Sequence, residues 1–525
     1  MKTNEKSNVI ILGFLSILAF FTNLGLRPAT LMEARNFITA REMVESGNYL
    51  VTTLNGNLRF EKPPLPTYLT ALMMKITGNV QDEWVLRIPV AVVGVITILM
   101  IYFLVKELTK NSRLSFLSGF VAVTTFMIIK IGNENSWDFY TYAFALGGVL
   151  FFVKGLKRDS LVNFLISGIF VGLSFMSKGP VGIYGLMLPF FIGHIFVYGI
   201  EDYKRNYKKI ILMIVISIVV GGLWWFLIYL EYGDILLQVV KKEERTWSNS
   251  HVKSVFYYLD YFIYMGVWIV FSLATYKRDW VARISEDKKY SRFVFIWQIL
   301  VIIALSVIKM KKKRYGIPIF MVSTLGIGNI VYYLYNTTLE KLNKGEKYLV
   351  NVHKIFLGIL WIGTFGIIGF GALKGIIPMY VAFIYVVIEI LVFIGYKKDK
   401  SLKNLIIISG ILFLFVNISS GRILTKGYVK KRVEIANTIN MRELHNTPPK
   451  YEIYSTNFGI EDVWRVGKTI KEYKKGDILP NEMLFFNAPT DEVLERYNVV
   501  SKKAYENERN EVVDIYYLVR KEVIK

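Results

Sequence analysis

The sequence predicts an all-α polytopic membrane protein of about 13 transmembrane helices, followed by a small extracytoplasmic α/β domain. Three observations carry this. Hydrophobic residues make up 53% of 525, mean hydropathy is +0.39, and one segment after another approaches the ~20 apolar residues that span hydrocarbon. From about Gly427 the chain turns polar, with short apolar or alternating runs. Net charge is +23; in a membrane protein this reads mostly as cytoplasmic anchors under the positive-inside bias, which makes nucleic acid a poor partner. Cysteine is absent, so disulfides, thiolate metal sites and a cysteine nucleophile are excluded.

Lys2 and Lys6 precede an apolar run without a small-x-small cleavage pattern, so residues 1–26 predict an uncleaved first span. Spans are expected near 9–26, 88–105, 115–131, 139–154, 163–176, 181–198, 210–230, 258–276, 293–308, 315–335, 353–371, 376–396 and 403–418. With the N-terminus inside, the loops 106–114, 155–162, 199–209, 277–292, 336–352 and 397–402 are cytoplasmic and rich in Lys and Arg, as the bias requires. Residues 1–426 form the transmembrane domain and 427–525 the extracytoplasmic one. In the latter, strands are expected at 452–454, 483–486 and 512–519, and helices at 431–445 and 490–497.

The first outer loop, 27–87, holds two amphipathic segments. Ala34, Phe37, Ile38 and Val44 recur at helical spacing with Gly47 as a stop, while Glu33, Arg35, Arg41, Glu42 and Glu45 take the other face, predicting a helix lying on the membrane surface. Leu65, Tyr68, Leu69, Leu72, Met73 and Ile76 form a second stripe ended by Gly78. Between them runs a charged elbow ending in Phe60-Glu61-Lys62-Pro63-Pro64, where Pro63 favours an extended Lys62 and so directs Glu61 and Lys62 to different groups.

The same topology places Glu134 and Asp138, the hairpin Ser177-Lys178-Gly179-Pro180, the loop with Glu243, Glu244 and His251, and the run Lys309 to Tyr315 outside. That last run breaks the charge rule. Four lysines and an arginine on the wrong side repel one another, and an anionic lipid head or polyprenyl phosphate at that surface is the economical explanation. The competing explanation is a span count off by one, which would make the run an ordinary cytoplasmic anchor.

Leu31-Met32-Glu33-Ala34-Arg35, Leu54-Asn55-Gly56, Phe60 to Leu65 and Arg87-Ile88-Pro89 resemble the first outer loop of bacterial aminoarabinose and protein-mannosyl transferases. Ser136-Trp137-Asp138, Ser177 to Gly182, and Lys311 to Tyr315 followed by Ile317-Pro318 look like later landmarks of the same families, in the same order. The resemblance implies a GT-C glycosyltransferase of the bacterial cytoplasmic membrane, its active site outside, moving a sugar from a polyprenyl phosphate to a lipid A-like glycolipid, another glycan or a protein. The families usually carry an Asp-Glu pair where this chain has Met32-Glu33. The resemblance further implies that Glu61 and His251 share a divalent metal, zinc or magnesium; no organic cofactor is expected.

Such a reaction must stabilise a phosphate leaving group and take a proton from the acceptor. Lys62, Lys178, Lys311 and Arg314 suit the phosphate, with Tyr315 beside them, and Glu33 and Asp138 suit the proton. Each has a structural alternative: Asp138 as a helix N-cap, Glu33 as a solvated charge on an interfacial helix, Lys178 snorkelling at a hairpin. A lipid-linked substrate transporter and a non-catalytic GT-C-like protein are the rival functions. The transporter is disfavoured because its paired broken helices and internal symmetry are not visible.

Overall fold

A computed structural model describes residues 5–435, 451–506 and 512–521. Among the described residues, ten helices are long and apolar enough to cross a bilayer, and an eleventh span results if Ser112–Val123 and Phe126–Gly132, bent by 64°, count as one. The other two expected spans are the shorter helix Glu5–Phe21 and the apolar stretch Ile183–Tyr198. The expectation of about 13 spans thus resolves into ten or eleven full-length ones and two short ones. The chain is a multi-pass membrane protein.

The chain divides into two compact units. The first comprises residues 1–24, 60–66 and 88–423, the second 25–59, 67–87 and 424–525. The first outer loop, grouped above with the spans, therefore falls largely with the C-terminal segment.

In the first unit, close approach of two helices depends on small residues, as in other membrane bundles. A Cβ at Gly168 would stand 2.6 Å from the Met213 carbonyl oxygen, and one at Gly172 2.6 Å from Val220, so Leu161–Lys178 packs directly on Tyr207–Asn249. That long helix was expected to end near residue 230. It instead breaks at Tyr232 (φ −128°, ψ 33°) and runs on to Asn249.

The expected inside loops meet at one end of this unit. Arg158 and Lys110 pair with Glu107, Lys157 Nζ reaches the Glu107 carbonyl at 2.5 Å, and Asn111 Nδ2 donates to Glu286 at 3.2 Å. The helix Trp137–Arg158 carries Asp138 at its opposite end. Lys309–Tyr315 lies with Asp138 and not with the expected inside loops, the Tyr315 ring meeting the Lys178 ammonium that pairs with Asp138.

In the second unit the helix Leu31–Ser46 opens with a capping box, Thr30 accepting from the Glu33 N–H while the Glu33 carboxylate accepts from the Thr30 N–H at 3.0 Å. It does not lie free on a membrane surface. Glu33, Ala34, Asn36, Phe37, Ile38, Thr39, Ala40, Arg41 and Met43 are all buried, and the Phe37 ring packs 5.0 Å from that of Trp464. Burial on more than one face is what a helix enclosed by a domain shows.

Strands β1 (Thr53–Leu54) and β2 (Asn57–Leu58) form a hairpin closed by Asn55-Gly56, both at positive φ, the backbone a primed two-residue turn requires. The C-terminal sheet contains β3 (Ile453–Ser455), β4 (Ile470–Glu472), β5 (Glu482–Phe486), β6 (Tyr497–Glu506) and β7 (Val512–Arg520) in the order β4-β3-β5-β7-β6. β3 pairs parallel with β4 and β5, while β7 runs antiparallel to β5 and β6. Asn55 mimics a further strand at the β4 edge, its amide donating to the Ile470 carbonyl at 2.8 Å and accepting from its N–H at 2.9 Å.

The expected strands at 452–454, 483–486 and 512–519 are thus present, and β4 and β6 were missed. The helix expected at 490–497 is Asp491–Arg496. Of that expected at 431–445, residues 431–435 end the helix Leu402–Ile435 and the rest lies outside the described residues.

Candidate active site

Asp138 lies in the first turn of Trp137–Arg158, fully buried. Its Oδ1 is paired with Lys178 Nζ, contributed by the last residue of Leu161–Lys178. Gly179 turns the chain there at φ +74°, a conformation that side chains resist, and delivers the ammonium back over the Asp138 helix. The same ammonium stands 4.1 Å from the centre of the Tyr315 ring. Asp138 Oδ2 has no hydrogen-bond partner among the described residues. One carboxylate oxygen is therefore held by a cation while the other stays available as an acceptor.

Two further cations surround this pair. Arg314 Nη1 reaches Glu134 at 2.8 Å and Lys62 Nζ reaches Glu243 at 2.8 Å, and both cations lie within electrostatic reach of Lys178. The elbow is seated by Phe60, whose ring packs 5.5 Å from that of Tyr232 at the helix break. Beyond the break the helix supplies Glu243 to Lys62, and Lys242 stands 3.7 Å from Glu61. Sequence reasoning passed over Glu243 and Glu134 as partners because their contacts span 181 and 180 residues. It also missed Tyr142, although its position one helical turn after Asp138 was a usable signal.

The basic run is mostly satisfied within the protein. Lys311 is buried with Nζ on the carbonyls of Ile308 (2.6 Å) and Lys253 (3.3 Å), and burial pulls its ammonium below the usual lysine range. Lys313 pairs with Asp260 at 2.6 Å and lies over the Tyr257 ring. Internal partners thus account for much of the charge that seemed to demand an anion.

Glu33 belongs to the second unit. Arg87 Nε and Nη2 reach its two oxygens at 2.6 and 2.9 Å. Burial pushes this carboxyl upward, but Arg87, Arg27 and the Thr30 N–H overrule it and hold it at about 2. A carboxylate so fully engaged is a weak proton acceptor.

Glu61 and His251, the pair that the resemblance implies for a metal, each have their own surroundings. Glu61 keeps one buried oxygen without a hydrogen-bond partner, but Lys242 stands beside the other, and His251 occupies a turn at φ 49° where its carbonyl accepts from the Lys311 N–H at 3.1 Å. Among the described residues no group of three or more His, Asp or Glu is placed to hold a metal.

Residues 61–225 match the family model described as dolichyl-phosphate-mannose-protein mannosyltransferase. The chain is 23% identical over 391 residues to an undecaprenyl phosphate-alpha-4-amino-4-deoxy-L-arabinose arabinosyl transferase of Proteus mirabilis, covering 73% of this chain and 65% of that one. It is 27% identical over 316 residues to an uncharacterized protein of Aquifex aeolicus, covering 58% and 60%. This chain accordingly spans about half to two thirds of the length of the curated relatives it matches. In fold it is similar to ArnT of Cupriavidus metallidurans, crystallised with undecaprenyl phosphate, at a TM-score of 0.72 with 97% of each chain covered and 16% identity. The chain has the GT-C glycosyltransferase fold and resembles the bacterial aminoarabinose transferases and the dolichyl-phosphate-mannose protein mannosyltransferases.

Proposed function

We propose that this protein transfers a sugar from a polyprenyl-phosphate donor to a glycolipid, another glycan or a protein, at the extracytoplasmic end of its helices in the bacterial cytoplasmic membrane. The observation that carries the reading is the half-engaged Asp138: one oxygen on Lys178, the other without a hydrogen bond, with Lys62 and Arg314 close by. The names of the relatives support the donor class.

Lys178, Lys62 and Arg314 bind the donor phosphate, arginine offering a bidentate fork, and the Tyr315 ring steadies the Lys178 ammonium. As the acceptor oxygen bonds to the anomeric carbon, the bond from that carbon to the phosphate oxygen breaks and its electron pair stays on the phosphate. The acceptor proton passes to Asp138 Oδ2. Cations pre-set around the leaving phosphate stabilise charge as it develops. Glu33, saturated by Arg87, maintains the architecture of its own unit.

Purified full-length protein given radiolabelled polyprenyl-phosphate sugar and membrane extract is expected to move label to a new acceptor. Label that remains on the lipid but crosses sealed vesicles would instead identify a transporter. Label that does neither identifies a non-catalytic GT-C-like protein.

A further inference from the structure

Tyr142 follows Asp138 by one turn on the same helix. It is wholly buried, yet its hydroxyl has no hydrogen-bond partner among the described residues. Buried polar atoms without partners are rare in native proteins and ask for a cause. Helical side chains lean toward the helix N-terminus, so the phenol lies over the turn that carries Asp138. It is within electrostatic reach of that carboxylate and of Tyr258 and Tyr315.

Asp138 has the complementary need, an oxygen with no donor. The other wall is the π-helical turn Ile183–Met187, a form that recurs at functional sites. Gly185 within it passes so close that a Cβ there would stand 3.1 Å from the Tyr142 hydroxyl. The phenol is thus confined from the facing side as well.

Lys178 has two claims on one ammonium. In the structure it holds Asp138, and a donor phosphate beside it would compete for the same N–H groups. Once the phosphate draws Lys178 away, Asp138 would remain buried with no donor. The groups within electrostatic reach are then Tyr142 from its own helix, Tyr258 and Tyr315, with Arg314 and its partner Glu134 beside Tyr315. Tyr258 already donates to the Lys312 carbonyl at 3.2 Å, and the Tyr315 hydroxyl faces the Met310 sulfur at 3.6 Å.

We infer that Tyr142 is a positioning residue for transfer: its hydroxyl donates to one oxygen of Asp138 when Lys178 turns to the donor phosphate, aiming the other oxygen at the acceptor's proton. The inference rests on the transferase reading and extends it to the wall behind the base.

The test is Tyr142→Phe in the full-length purified protein, assayed with radiolabelled polyprenyl-phosphate sugar beside the parent and Asp138→Asn. Losing a hydrogen bond to a charged group predicts a fall in kcat of about tenfold or more. KM for the donor is expected to stay within about twofold and the unfolding temperature not to fall, since the hydroxyl acts on chemistry rather than donor binding. Gly185→Ala, which crowds the phenol, is the second variant and should lower kcat in the same way. An unchanged kcat in Tyr142→Phe overturns the inference, as does a lower kcat accompanied by a raised KM and a lower unfolding temperature, the mark of a packing role. A parent that transfers nothing overturns the transferase reading and this inference with it. A parent active alongside an unaffected Tyr142→Phe overturns the inference alone.

Discussion

Arg87 grips both carboxylate oxygens of Glu33, at 2.6 and 2.9 Å, and neither side chain is exposed to solvent. The one acid in the Met32-Glu33 pair is here committed to an arginine. Glu33→Gln leaves the Arg87 charge buried without its counter-ion, which predicts a loss of about 3–5 kcal/mol in stability. Thermal unfolding in detergent checks it. A variant as stable as the parent but devoid of transfer would return Glu33 to the role of base.

The same pair sets a pH dependence. Folding holds the Glu33 carboxyl at about 2, below its ordinary 4.5, so its contribution is fully present above about pH 4.5 and is lost as pH falls toward 2. By linkage this amounts to roughly 3 kcal/mol. Unfolding followed across that window should show an acid limb that Glu33→Gln lacks.

Asp138→Asn keeps the shape of the side chain and removes its basicity. Transfer is expected to fall by about 10²–10⁴, the range for losing a placed general base. Single-turnover assays with the radiolabelled donor measure it. Wild-type rates in this variant would mean that the acceptor needs no base here.

Glu243 holds Lys62 at 2.8 Å and in doing so occupies a cation assigned to the donor phosphate. Glu243→Gln removes that competition, so KM for the donor should fall severalfold, whereas Lys62→Met should raise it by about tenfold. Donor titrations on both variants decide. A raised KM in Glu243→Gln would show that the pair assembles the site rather than competing within it.

Much of the architecture was legible in linear order. The apolar runs, the Lys- and Arg-rich loops and the charged elbow at Glu61-Lys62 follow from local composition, and the expected inside loops do meet at one end, away from Asp138. The helix at 31–46 was recognised but its burial was not, because Phe37 packs on Trp464, far along the chain. The continuation past Tyr232 to Asn249 was missed because charged residues there ended the apolar pattern while leaving helix propensity intact.

The sequence by itself determined which segments are apolar enough to cross a membrane and which residue types fill the loops between them, since hydropathy and charge are properties of a short window. Only the tertiary structure decided that Asp138 meets Lys178 across 40 residues and Glu33 meets Arg87 across 54. It also decided that residues 25–59 and 67–87 join the C-terminal sheet in one unit, while the elbow 60–66 falls with the spans. Such pairings depend on how distant helices close upon one another, and the energy of a buried ion pair exists only after that closure.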